Sequence, residues 1–398
     1  MNRFLDRTFL GLLACLLVAT LGVNAMPVLV GAVVAGLHLN AANAGLMASL
    51  ELGAVAFATL AISARVSRYR LARLGLAGAM LAVAGNLSCW LGALVPADAG
   101  AMLALNGQDL GWAAGIVAAG RMLAGLGQGV ALAAFSAAIA SVDEPDPTYA
   151  RVLIANVSII GLAIVALIPA LQELLGLYGT FTALAVVVGV AAPCMRFLPS
   201  PAPVAGTSGR GALPNRRSGL LLIVSLSIFA TGEGAVWAFV EEIGRGIEGG
   251  GAAAEARIFH IIGWASIAGV LVGAGAAAWL GLRLGRRLPL NAALLMFGLA
   301  GPLLSACTSH APYVVLIGSF VLSQYFLFPY YMGAAAELDP EGRWAAASTG
   351  MYLLGSTVGP ATAGQLVQWT HSYSSIGWLV LGTSLVPAAM MHFVLARR

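Results

Sequence analysis

Residues 121–140 read RMLAGLGQGVALAAFSAAIA, an arginine, three glycines and one amide set inside a run that is otherwise apolar. A charged side chain at the centre of a membrane span costs about 2.5–3.5 kcal/mol on insertion scales, so an arginine kept there implies a task. Arg121 and Gln128 are seven residues apart and share a helical face, while Gly125 and Gly129 would let another backbone approach closely. The composition of the whole chain makes the membrane reading the natural one. Of 398 residues, 60% are hydrophobic and only 9% are charged, against about 25% charged in an ordinary soluble domain. Apolar runs of roughly 20 residues, the length that crosses about 30 Å of hydrocarbon as a helix, recur from near Phe9 to near Ala396.

The N-terminus imitates a secretion signal, with Arg3 and Arg7 before an apolar stretch and LLAC at 12–15 resembling a lipoprotein cleavage box. Only residues 9–14 precede Cys15, however, and the run continues to about Val34, so it reads as an uncleaved first membrane helix. The cysteines, Cys15, Cys89, Cys194 and Cys307, are far apart inside apolar runs and form neither a disulfide framework nor a metal spacing.

Hydropathy gives twelve spans, at 9–33, 43–64, 71–95, 111–140, 151–174, 178–198, 218–243, 257–282, 288–308, 312–337, 343–368 and 374–396. The arginines test that count. Arg3, Arg7, Arg65, Arg68, Arg70, Arg73, Arg151, Arg196, Arg210, Arg216, Arg217, Arg283, Arg286, Arg287, Arg343, Arg397 and Arg398 fall on one side, and only Arg245 and Arg257 on the other. The positive-inside rule makes the first side cytoplasmic, together with both termini. Scattered one loop at a time, these charges report topology, and the net charge of +4 gives no reason to expect nucleic acid. A polar stretch rich in Pro, Gly, Ser and Arg marks a cytoplasmic linker at 199–217 between halves 1–198 and 218–398. The halves echo each other: RVSRYRLAR at 65–73 follows the second span, and LRLGRRLPL at 282–290 follows the eighth. Parallel repeats of this kind are expected in one large transporter class, with the substrate site near mid-membrane.

Three charges stand out at membrane depth: Glu51, Arg121 and Glu233. At 1.5 Å rise per residue they lie about 12, 15 and 15 Å from the non-cytoplasmic ends of their helices, which suggests one polar cavity. Helical spacing nominates neighbours: Gln128 beside Arg121; Trp237 and Glu241 along from Glu233; Gln324, Phe328 and Tyr331 on one face of the tenth span, with Tyr325 adjacent. The first span adds Thr20, Asn24 and a bend at Pro27. Aromatic faces with an amide suit an organic solute better than a bare ion. Blander readings stand beside these. Glu51 and Arg121 could be a structural ion pair, and the aromatics of the tenth span simple packing. Trp90, Trp112, Trp344 and Trp378 near span ends read as interface anchors. The histidines, His38, His260, His310, His371 and His392, lack a metal-ligand partner, and DEPDP at 143–147 reads as a solvated turn.

Arginine, three residues, then Gly-x-Gly-x-Gly resembles the fourth-helix pattern of the major facilitator superfamily, and the six-plus-six layout extends the resemblance over essentially the whole chain. It implies an all-α membrane protein of twelve helices in two six-helix bundles related by a pseudo-two-fold axis. It further implies that helices 1, 4, 7 and 10 line the pathway and that Arg121 couples protonation to transport. The basic connection in the second half resembles the family's Gly-x-x-x-Asp-Arg-x-Gly-Arg-Arg signature at Arg283, Gly285, Arg286 and Arg287, nominating a gating element; Leu282 stands where the acid belongs. An adjacent Gly-Pro pair, associated with antiporters in the fifth span, occurs instead in the eleventh as Gly359 and Pro360, so drug antiport is not assigned on that motif.

The resulting expectation is a secondary active transporter, not an enzyme, that moves a small organic solute by alternating access with protons as the coupling ion. Efflux of amphipathic compounds leads; proton-linked uptake of an organic anion with Arg121 as its partner follows, and a facilitative uniporter is third. Coupling residues would be Glu233, Glu51 and Arg121, because burial raises a carboxyl pKa while a nearby guanidinium lowers it. The substrate site would include Asn24, Arg121, Gln128, Glu233, Trp237, Gln324, Tyr325, Phe328 and Tyr331. No lysine occurs anywhere, so a Walker-type phosphate loop is excluded, and neither an HExxH nor a GxSxG sequence is present. No cofactor or metal is expected. A channel and a receptor are rival classes, but no sizeable soluble effector region is visible. An arginine-only basic set suggests a GC-rich bacterial genome, hence the inner membrane, and the chain is expected to act as a monomer in the lipid bilayer.

Overall fold

A computed structural model describes residues 6–63, 65–96, 98–142, 145–199, 214–248, 251–339 and 343–396. Most of the expected linker, together with Arg3, Arg210, Arg397, Arg398 and the first two residues of DEPDP, lies outside them. The chain divides into two compact units, Met1–Thr207 and Ser208–Arg398.

In the first unit, α1 (Arg7–Asn24) and α2 (Met26–Leu37) form the first span, interrupted at Ala25, where the chain turns just before Pro27. Proline has no N–H to donate into the turn behind it and sits most easily in a helix's first turn, so the bend expected at Pro27 becomes a break. Then follow α3 (Ala41–Ser63), α4 (Leu71–Ser88) extended by a 3-10 turn over Cys89–Leu94, and α5 (Trp112–Ile139). α6 (Pro145–Leu162) passes through a π-helical turn, Ala163–Leu167, into α7 (Ile168–Leu175); α8 (Leu177–Ala191) ends in a 3-10 turn over Ala192–Phe197. The π turn lies where Pro169 removes a donor, an arrangement that absorbs the missing hydrogen bond. Because α6 starts at Pro145, that end of DEPDP is a helix start and not a free turn.

A feature unannounced by hydropathy joins α4 to α5: a hairpin of β1 (Ala101–Leu105) and β2 (Gln108–Gly111), paired antiparallel. Asn106 and Gly107 at its tip take positive φ, the conformation that tight hairpin turns require. Amides tie it to the α2–α3 corner: Gln108 Nε2 donates to the His38 carbonyl at 2.6 Å, Asn40 Nδ2 to the Asn106 carbonyl at 3.0 Å, and Asn43 Nδ2 to Gln108 Oε1 at 3.0 Å.

Among the described residues the second unit has six helices: α9 (Arg216–Glu248), α10 (Ala252–Leu280), α11 (Arg287–Ser305), α12 (His310–Leu338), α13 (Arg343–Thr370) and α14 (Ser374–Ala396). Among the described residues eleven helical segments are long and apolar enough to cross a membrane. α13 is not among them, being diluted by Ser348, Thr349, Ser356, Thr357, Gly359 and Thr362, but at 28 residues it has the length to do so.

Candidate functional site

The glycines of the opening stretch are explained by which helix each one faces. A Cβ on Gly125 would lie 2.4 Å from the Glu51 carbonyl and one on Gly129 2.3 Å from the Val55 carbonyl, both on α3. A Cβ on Gly127 would lie 2.4 Å from the Gly78 carbonyl and the Ala82 nitrogen on α4. α5 is therefore pressed between two backbones, and the close approach carries its polar side chains into contact with those of its neighbours.

Arg121 Nε donates to Glu51 Oε2 at 2.9 Å, Nη2 donates to Glu51 Oε1, and Nη1 donates to Asn86 Oδ1 on α4 at 2.6 Å. Gln128 Nε2 donates to Glu51 Oε1 at 3.0 Å, closing a network in which all four side chains are buried. The Phe181 ring on α8 lies 5.8 Å from the guanidinium carbon, within cation–π range. Gly22 on α1 makes the fourth wall; a Cβ there would sit 2.3 Å from Glu51 Oε1. A small pocket bordered by Met26, Val30, Met47 and Phe181 reaches the ion pair. Asn24 stays apart from these bonds: its Nδ2 donates to the Thr20 carbonyl one turn back at 2.9 Å, while Asn156 Nδ2 donates to Thr20 Oγ1 at 3.0 Å.

Glu233 on α9 is the corresponding buried acid of the second unit, 6% exposed. Gln324 Nε2 on α12 donates to its Oε1 at 2.5 Å and the Tyr352 hydroxyl on α13 to its Oε2 at 2.7 Å. Phe328 meets Tyr352 edge-on, ring centres 5.5 Å apart. Trp237 and Tyr325 are half-buried in the same unit. Tyr331 departs from the alignment expected of it: fully buried, it stacks on Phe229 at 6.4 Å and its hydroxyl accepts from Ser225 Oγ at 3.3 Å. Three residues on, the face has rotated from Phe328 into the core of the bundle. Glu241, two turns beyond Glu233, is wholly buried and accepts from Arg245 at 2.8 Å.

α9 and α13 meet along a second small-residue seam, with a Cβ on Gly355 falling 2.1 Å from the Ser227 carbonyl and one on Gly359 2.5 Å from the Thr231 carbonyl. Gly359 and Pro360 thus serve close helix packing beside Glu233. In the basic connection, Gly285 takes φ +64°, Arg283 lies over the Trp279 ring at 5.2 Å, and Arg286 Nε donates to Glu337 Oε1 on α12 at 2.8 Å. Glu337 gives Arg286 an acid partner although Leu282 stands in the signature's acidic position. Arg287 Nη2 lies 2.9 Å from His392 Nδ1 on α14.

Two of the tryptophans correct the anchor expectation. Trp344 is buried, its indole N–H donating to the Pro214 carbonyl at 2.8 Å and its ring filling the space left by Gly219. Trp90 donates to Thr182 Oγ1 at 3.0 Å and packs on Tyr178. Trp112 and Trp378 are exposed, at 50% and 66%.

No protein-family model matches the sequence, and neither does any curated protein. Solved structures do. A POT peptide transporter in complex with sulfate superposes with TM-score 0.70 at 14% identity, over 98% of this chain and 95% of that one. The nucleoside transporter NupG gives 0.68 at 14% identity, over 97% and 99%. A D-xylose–proton symporter gives 0.66 at 15% identity, over 96% and 95%. The chain has the major facilitator fold. Within that fold Asn86, Phe181, Gly22 and Tyr352 are the members of the two clusters that residue spacing did not nominate. Asn86 did carry a signal, an amide inside an apolar helix, whereas Tyr352 is one of several polar residues on α13, and nothing in a local window says which charged helix either group faces.

Proposed function

We propose that this protein is a proton-coupled secondary active transporter of a small organic solute, working by alternating access, with Glu233 as the proton-carrying side chain. The observation that carries this reading is the difference between Glu51 and Glu233. Glu51 is held on both oxygens by Arg121, whereas the partners of Glu233 are the neutral side chains of Gln324 and Tyr352. A proton can occupy Glu233 without breaking an ion pair; on Glu51 it would strand a buried guanidinium, a loss of about 3–5 kcal/mol when a buried pair is broken. Glu51, Arg121 and Gln128 then form the rigid part of the apparatus, and Trp237, Gln324, Tyr325 and Phe328 the solute-facing part, joined by Tyr352. Asn24 and Tyr331 belong to the supporting packing.

Three similar structures, named for peptide, nucleoside and proton-linked xylose transport, support small organic cargo and proton coupling. Aromatic faces around a single carboxylate favour efflux of amphipathic compounds. Uptake of an organic anion paired with Arg121 would require the anion to displace Glu51. The setting we propose is the bacterial inner membrane with both termini cytoplasmic.

Proteoliposomes under an imposed pH gradient test the assignment, once a thermal-shift screen of metabolites and antibiotics has supplied a solute. Glu233→Gln is expected to abolish gradient-driven accumulation. Wild-type rates in both Glu233→Gln and Glu51→Gln would remove both acids from the coupling path.

A further inference from the structure

Away from both clusters, α11 and α14 leave a groove between them near the basic start of α11, with a volume of ≈ 390 Å³. Its lining is Asn291, Leu295, Ala388, Ala389, His392 and Phe393. Ligand sites of this size, within roughly 300–1,000 Å³, are common in proteins. Three features run in order along α11. Arg287 is exposed at the mouth; it donates to a ring nitrogen of His392, and among the described residues no acid pairs with it. One turn further in, Asn291 brings an amide whose oxygen is buried and has no hydrogen-bond partner. Beyond it Leu295, Leu299 and Leu303, at four-residue steps on the same side, are 44%, 55% and 58% exposed. Each step is about 6 Å along the axis.

A cation, then an amide, then an apolar track match the sequence phosphate, glycerol ester, acyl chain. We infer that this groove binds one anionic glycerophospholipid, its phosphate on Arg287 and His392, its ester region against the Asn291 amide and an acyl chain along Leu295, Leu299 and Leu303. His392 adds to the site by accepting from Arg287 and so orienting the guanidinium toward the groove. The amide can present either its N–H2 to an ester carbonyl or its oxygen to a hydroxyl, so it accommodates the polar middle of the lipid. Basic pockets between membrane helices take anionic head groups on these grounds. The inference does not rest on the transport reading.

Native mass spectrometry of the detergent-purified full-length protein tests it, using phosphatidylglycerol, phosphatidylcholine and inorganic phosphate as probes. The wild type is expected to retain phosphatidylglycerol in preference to phosphatidylcholine, and free phosphate in large excess is expected not to displace it. Arg287→Ala should lower retention roughly fivefold, the effect of one basic residue near an anionic head group, and Arg287→Lys should restore most of it. Leu295→Trp, which fills the groove without touching charge, should also reduce retention, while Arg217→Ala, an exposed arginine at the start of α9, should not. Should Arg287→Ala fail to fold, His392→Ala and Leu295→Trp carry the same test. Equal retention in all variants, displacement by free phosphate, no lipid preference in the wild type, or a dimer that covers the groove in place of lipid would each overturn the inference.

Discussion

Arg121 shows how a residue costly in lipid becomes inexpensive in a bundle. Its guanidinium has two bonds to Glu51 and one to Asn86, with Phe181 beside it, so each charge meets its opposite before it meets hydrocarbon. Removing one partner leaves the other charged and buried, so Arg121→Ala is expected to destabilise the protein by about 3–5 kcal/mol. In a thermal or denaturant unfolding cycle, Arg121→Ala combined with Glu51→Ala should cost clearly less than the sum of the two single variants. Additive losses would mean the pair contributes no coupling. At this scale the sequence was a good guide to charge and a poor one to partnership. Intramembrane charges are rare enough that Glu51, Arg121 and Glu233 stand out unaided, but Tyr352 reaches Glu233 from 119 positions away, a contact only the packing of α13 on α9 creates.

At the level of the helices, small residues decide which backbones touch. Gly127 faces α4 with no room for a side chain, whereas a Cβ on Gly189 of α8 would meet nothing within 4 Å. Gly127→Val should therefore cost at least the roughly 1–3 kcal/mol typical of overpacking, and Gly189→Ala should be neutral or stabilise by up to about 1 kcal/mol through helix propensity. Melting temperatures of the two purified variants check this, and equal behaviour would refute the seam. Hydropathy located the spans because burial in lipid is a property of composition averaged over a turn or more. It did not locate the break at Ala25, the π turn at Ala163–Leu167 or the β1–β2 hairpin, because each is set by hydrogen bonding of a few backbone groups. That Tyr331 and Trp344 are buried in the bundle is not legible in the sequence for a related reason: period fixes the face of a helix, not whether that face meets a cavity, a lipid or another helix.

For the whole molecule, the sequence assigns every loop arginine except Arg245 and Arg257 to one side of the membrane. The two exceptions are neutralised where they stand, Arg245 by Glu241, Glu242 and Glu255, and Arg257 by Glu248. Net positive charge, and not only arginine number, is thus scarce around these two residues, in keeping with the orientation proposed from the arginine distribution. Fluorescent-protein and alkaline-phosphatase fusions after Arg398 should give fluorescence and no phosphatase activity; the reverse pattern would invert the topology. The central claim is that Glu233 carries the proton that drives the solute. Solute counterflow and pH-driven accumulation, measured side by side on Glu233→Gln in the same proteoliposomes, test it most directly. Exchange of labelled for unlabelled solute should persist while accumulation against the gradient is lost, and accumulation at the wild-type rate would contradict the account.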